Sequence, residues 1–314
     1  MRPLRILFMG TPDFAVAILD RLIQNNHTVV GVVTAPDKPA GRGRKLHESS
    51  VKKYAKSQNI PLLQPSNLKD VDFQQELKAL NANLHIVVAF RMLPKSVWNM
   101  PTHGTFNLHA SLLPAYRGAA PIHWALINGE KTTGVTTFFI DDKIDTGAMI
   151  LQKEIAIAPD EIVGTLHDKL MYLGASVVED TLRLLEKGPV QTTVQPIAAE
   201  KTAYKLYPHN CKIDWTQPLE TIYNKIRGLN PFPAAWCTIH NGDEELTAKI
   251  YGVSKEEMAH EYPFGTILAD KKNLKVAVQK GYLCIHELKL AGKKKMDTQS
   301  LLNGFQFHEN AKMS

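Results

Sequence analysis

Asn107 and His109 stand two residues apart in "FNLHASLLPAYRGAAPIHW" (106–124), a stretch that otherwise reads as the end of a buried strand followed by a loop with two prolines and an arginine. On a strand, residues i and i+2 project to the same side, so the amide and the imidazole point together while Phe106 and Leu108 pack inward. A third polar feature follows in the turn "FIDDKIDTGAM" (139–149), which carries Asp141, Asp142 and Asp145. An amide donor, a proton-carrying imidazole and a carboxylate that orients it form a set suited to acyl transfer. The amide and a protonated imidazole can both donate to an oxyanion growing on a tetrahedral carbon, while the carboxylate holds the ring and accepts protons. No nucleophilic Ser or Cys is required if the acceptor is itself an amine. Ser111 is close, but "HAS" is not the G-x-S-x-G elbow of the hydrolases.

Such a set needs a sheet whose strand ends share one rim. The first 190 residues alternate short β-branched runs, "RILFMG", "TVVGVVT", "LHIVVAF", "TFNLH" and "GVTTFFI", with amphipathic stretches. That alternation predicts a parallel sheet with helices on both faces, and in such sheets ligands bind outside the carboxyl ends of the strands. The acidic turn, ending a neighbouring strand, is expected at the same rim as His109. "GAMILQKEIAI" (147–157) reads as a hairpin partner, and 162–187 as a long amphipathic helix stopped by Gly188-Pro189. Residues 190–203 show no sustained period and are expected to link a catalytic domain, 1–189, to a second domain, 204–314. In the latter, short strands such as "AAWCTIH", "LTAKIYGV", "LKVAVQ" and "YLCIHELKL", separated by Asn, Gly, Asp and Lys turns, predict a small β-barrel of the oligonucleotide-binding (OB-like) type.

The 314 residues, 44% of them hydrophobic, are enough for real cores, and no apolar run approaches the roughly 20 residues of a membrane helix. Three cysteines, Cys211, Cys237 and Cys284, lie far apart and indicate neither a disulfide framework nor a C-x-x-C site, which fits a cytoplasmic protein. The histidines share no ligand spacing, so no metal is expected. Gly10-Thr11-Pro12-Asp13 follows the first strand where a dinucleotide fingerprint would sit, but Pro12 and Asp13 replace the small residues that a pyrophosphate needs. The formal charge of +6 includes a basic Pro/Gly loop (35–49) with Lys38, Arg42, Arg44 and Lys45, and a second cluster at Lys293–Lys295. Two such clusters beside a barrel favour contacts to nucleic-acid phosphates, through counterion release.

"FNLHASLLPAYRGAAPI" followed by "IDTGAMI" resembles the formyltransferases that use 10-formyltetrahydrofolate, and Asn107, His109 and Asp145 match that family's catalytic triplet. "PDKPAGRGRKL", "YRGAAPIHWALINGE" and "KIDW…IRGLNPFPAAW" extend the resemblance over nearly the full chain, toward the branch whose acceptor is methionine carried on initiator tRNA. The resemblance implies a doubly wound (Rossmann-like) α/β domain with a C-terminal OB-like barrel, a monomeric enzyme and no metal. It implies a folate co-substrate lying along Ser111, Leu112, Leu113 and Pro114, with Phe90, Arg91, Met92 and Asp141 as further walls. It implies tRNA contacts by Lys38, Arg42, Arg44, Lys45, Gly10, Thr11, Arg117 and Lys205. Two places depart from the family pattern. Phe90-Arg91 stands where a Tyr-Gly pair is usual, so a side chain must be placed where glycine would let a ligand approach, and "LYPHNCKIDW" lacks the charged residues usual before "IDW". The rival readings are a purine-precursor or nucleotide-sugar formyltransferase and a non-catalytic RNA-binding protein. The C-terminal barrel argues against the purine enzyme, and the intact Asn107, His109 and Asp145 argue against a protein without catalysis.

Overall fold

A computed structural model describes residues 3–40, 45–196 and 201–314. The first compact unit is built on a seven-stranded sheet: β1 (Arg5–Gly10), β2 (Thr28–Val33), β3 (Leu62–Leu63), β4 (Leu84–Val88), β5 (Thr105–His109), β6 (Thr132–Phe139) and β7 (Met149–Ala156), in the order β7-β6-β5-β4-β1-β2-β3. β1, β2, β3, β4 and β5 pair in parallel. β4 is buried at every position, as a strand covered on both faces must be. Helix α1 (Asp13–Gln24) follows β1 and turns Phe14, Ala15, Ile18, Leu19 and Leu22 inward at helical spacing. Gly10 makes that joint possible, because a Cβ there would stand 2.6 Å from the Ala15 Cβ and 3.0 Å from the Val88 carbonyl oxygen.

The sheet differs from the sequence expectation at one consequential place. β6 runs antiparallel to β5, with His109 opposite Thr136 and Phe106 opposite Phe139. The chain after His109 does not make the long crossover that a parallel partner needs, so β6 enters the sheet from the carboxyl end of β5. The turn after β6 therefore leaves at the opposite end from His109, not at the same rim.

The second compact unit holds Ala203–Ser314 together with two short pieces from earlier in the chain, Ile122–Lys131 and Ala156–Leu166, so the units do not divide at one linear boundary. It contains antiparallel strands in a five-stranded and a four-stranded sheet. The alternating burial of Ala235–Asn241 puts Ala235, Cys237 and Ile239 into a core shared with Ile250, Val276 and Leu283. Among the described residues, no helix is long and apolar enough to cross a membrane. Nor is the 190–203 segment a bare tether, since Thr193 and Met149 exchange backbone hydrogen bonds of 2.8 and 2.9 Å.

Candidate active site

His109 closes β5 and is only 6% exposed. Its Nε2 lies 2.8 Å from the Tyr116 carbonyl oxygen, which can only accept, so Nε2 carries a proton. Its Nδ1 faces the Asp145 carboxylate at 3.8 Å. At that separation the carboxylate stands at ion-pair distance from the ring and beyond hydrogen-bond reach of Nδ1. Asn107, two residues earlier between Val87 and Phe138, is half-buried, and among the described residues nothing hydrogen-bonds its amide. A half-buried amide with its donors unspent on the protein is fitted to a ligand oxygen.

Asp145 reaches His109 even though its turn starts from the far end of β5. Ile140 N donates to Thr105 O at 2.8 Å, so the chain must come back by four residues of strand, roughly 13 Å, to meet His109. The return is fastened at several points. Gly118 N donates to Asp145 Oδ2 at 2.9 Å, and Gln195 Nε2 donates to the carbonyl oxygens of Asp145 at 3.0 Å and Gly147 at 2.8 Å. Gly147 is obligatory, because a Cβ there would stand 1.7 Å from the Phe139 carbonyl oxygen. Asp141 accepts from Lys143 N at 3.0 Å and Thr146 Oγ1 at 2.8 Å, so it shapes the turn from within while Asp145 alone of the turn's carboxylates meets the imidazole.

The loop after His109 is braced by residues that the sequence did not single out. Thr136 Oγ1 donates to Ser111 O at 2.7 Å, and Gln152 Nε2 donates to Leu113 O at 2.9 Å. Ser111 is fully buried and donates to Ala115 O at 2.7 Å, and Leu113 is buried too, so Leu112 and Pro114, half-buried, are the members of this stretch with surface to offer a ligand. Phe90 is half-buried and Met92 exposed. Arg91 has a place of its own: its guanidinium donates to the carbonyls of Pro65 and Ser66, the latter at 2.8 Å, and lies 5.6 Å from the centre of the Phe90 ring.

Of the residues expected to meet an acceptor, Arg42 and Arg44 lie outside the described residues. Lys38 is exposed on a short strand paired with His47, and Lys45 lies on that partner strand. Gly10 and Thr11 form the joint between β1 and α1. Arg117 turns onto Gln195, donating to its Oε1 from Nε at 3.1 Å and from Nη2 at 2.7 Å. In the second unit, exposed Lys205 stands 5.3 Å over the Tyr207 ring, and Lys295 pairs with Glu287 at 3.0 Å.

The formyl transferase family matches residues 4–182, and the family's C-terminal domain matches residues 205–306. The chain belongs to the formyltransferases. It is 61% identical over 314 residues to methionyl-tRNA formyltransferase of Flavobacterium johnsoniae, covering 100% of both chains. The enzyme of the same name from Bacteroides thetaiotaomicron is 50% identical, over 99% of this chain and 98% of its own. Among solved structures, the sugar 3N-formyl transferase WlaRD, determined with dTDP and 5-N-formyl-THF, superposes with a TM-score of 0.65 over 94% of this chain and 100% of its own at 18% identity. HypX from Aquifex aeolicus, in complex with tetrahydrofolic acid, gives 0.65 at 17% identity over 96% of this chain, which spans only 47% of HypX. These distant likenesses concern the fold.

Proposed function

We propose that the chain transfers the formyl group of 10-formyltetrahydrofolate to the α-amino group of methionine esterified to initiator tRNA, using Asn107, His109 and Asp145. The observation that carries the chemistry is an Asn107 amide without a hydrogen-bond partner among the described residues, two residues before an imidazole placed between Tyr116 O and Asp145. Full-length identity to enzymes of that name carries the acceptor.

The amine attacks the formyl carbon, forming the new C–N bond and pushing the carbonyl electrons onto oxygen. Asn107 donates to that oxyanion and the positive charge of the His109 imidazolium stabilises it, where charge grows only as the transition state is reached. Collapse breaks the bond between the carbon and N10 of the folate, the electron pair stays on N10, and N10 receives the proton lost by the amine. Asp145 keeps the imidazolium in place and takes part in that proton transfer, directly or through water. The donor lies along Leu112 and Pro114, with Phe90, Met92 and the Asp141 turn as walls, while Arg91 braces the Phe90 loop from behind. Lys38, Arg42, Arg44, Lys45 and Lys205 meet tRNA phosphates, and the enzyme works as a monomer.

The test offers 10-formyltetrahydrofolate with methionyl-tRNA, a purine-precursor amine and an amino sugar nucleotide in parallel. Formylation of methionyl-tRNA is expected, and turnover confined to either small amine overturns the assignment.

A further inference from the structure

We propose that Gln195, backed by Arg117, is a positioning residue that holds the Asp145 turn against His109. This rests on the reading that Asp145 serves the transfer through His109. The need for such a clamp comes from the sheet itself. Because β6 is antiparallel, its following turn departs from the Thr105 end of β5, yet the Asp145 carboxylate must lie beside the imidazole at the His109 end. Asp145 also adopts φ +54°, the left-handed region, which aspartate tolerates better than most residues with a side chain but which its surroundings must still impose.

Gln195 supplies the imposition. It is 6% exposed, and its amide is used completely: both Nε2 hydrogens go to carbonyl oxygens, Asp145 at 3.0 Å and Gly147 at 2.8 Å, and Oε1 receives Arg117 Nε at 3.1 Å and Nη2 at 2.7 Å. The amide can sit only one way round, since carbonyls cannot donate and a guanidinium cannot accept. Arg117 Nη2 also reaches Pro196 O at 3.1 Å, and the Thr193–Met149 pairing fixes the segment beside the start of β7. A guanidinium that grips the amide from one side and two carbonyls of the catalytic turn on the other make a clamp with defined polarity. Its centre comes from a segment whose sequence reads as a connector.

The sharpest variant is Gln195→Glu, which keeps the size and the grip on Arg117 but has no hydrogen to give to Asp145 O or Gly147 O. It should lower kcat for methionyl-tRNA about tenfold or more and leave KM for folate and tRNA within about threefold. In an Asp145→Asn background the same change should cost less than about twofold, because a residue acting through Asp145 has nothing left to position. Arg117→Lys, which loses the forked grip, should show a smaller kcat loss with the same lack of additivity, and it serves if Gln195→Glu does not fold. Full activity of Gln195→Glu with Asp145→Asn impaired overturns the clamp alone. Multiplicative losses in the double variant, or an Arg117→Lys effect confined to the KM for tRNA, overturn it as well. Parent-like turnover by Asp145→Asn would instead overturn the underlying reading.

Discussion

Replacing Asn107 with alanine separates chemistry from stability more cleanly than any other change in this site. The residue is half-buried, and among the described residues no group depends on its amide, so truncation strands no buried partner. The stability change is therefore expected to stay within about 1 kcal/mol. Loss of one oxyanion donor costs about 2.7–4 kcal/mol of transition-state binding, or 10²–10³ in rate. The folate Kd should barely move, since the donation strengthens only as the carbonyl oxygen gains charge. Single-turnover formylation of charged tRNA, with folate affinity by calorimetry and Tm by scanning fluorimetry, gives the three quantities on one preparation. Turnover within tenfold of the parent by a normally folded Asn107→Ala enzyme would refute the role of the amide. A rate loss matched by a collapse in Tm would refute the claim that the side chain is free of structural duty.

Further outcomes follow from the same geometry. Gly147→Ala would place a methyl against the Phe139 carbonyl, which cannot yield without opening the turn, so denaturant melts should show a loss of about 1–3 kcal/mol and assays a severe loss of turnover. Arg91→Ala removes a brace on the Phe90 loop, not a ligand contact, and should change folate KM by less than about threefold, whereas a larger rise places the guanidinium on the donor. His85, 1% exposed, is held neutral by burial, which lowers its pKa from 6.5 to about 4. Between those values the unfolded chain binds a proton that the native one refuses, so the stability due to His85 is complete above the unfolded pKa. It is lost as pH falls, by about 3 kcal/mol, and urea melts from pH 7.5 to 4.5 should show a slope that His85→Asn flattens. Binding of methionyl-tRNA should weaken with salt, and Arg42→Ala should cost about 1–3 kcal/mol in kcat/KM, while salt-independent kinetics would return the case to a small acceptor.

The polar pair on β5 was legible because period-2 alternation fixes which side chains share a face, and the resemblance supplied Asp145 as its partner. The direction of β6 was not legible. A buried strand reads "GVTTFFI" in either sense, and only the route of the chain between His109 and Thr132, which the sequence pattern does not show, decides it. Asp145 therefore arrives at His109 by a folded-back turn, not by sharing a rim. Gln195, Gln152 and Thr136 carry no signal in the sequence, because single amides and hydroxyls have no period, and Gln195 sits where low regularity reads as a connector. The same interleaving undoes any simple cut. A chain ending near Thr202 leaves His123 without Gly228 O at 2.8 Å and Glu161 O without Arg227 at 3.1 Å, so it should be unstable instead of a clean folate-binding fragment.

The most direct measurement of the central claim is single-turnover formyl transfer to methionyl-tRNA by Asn107→Ala, His109→Ala, Asp145→Asn and the triple variant, each at saturating 10-formyltetrahydrofolate. If the three side chains act as one device, each single change costs about 10²-fold or more, and the triple variant is little slower than the worst single, because groups that work as a unit are far from additive. Rates near the parent's in any single variant, or losses that multiply in full across the three, would contradict a shared centre at the end of β5.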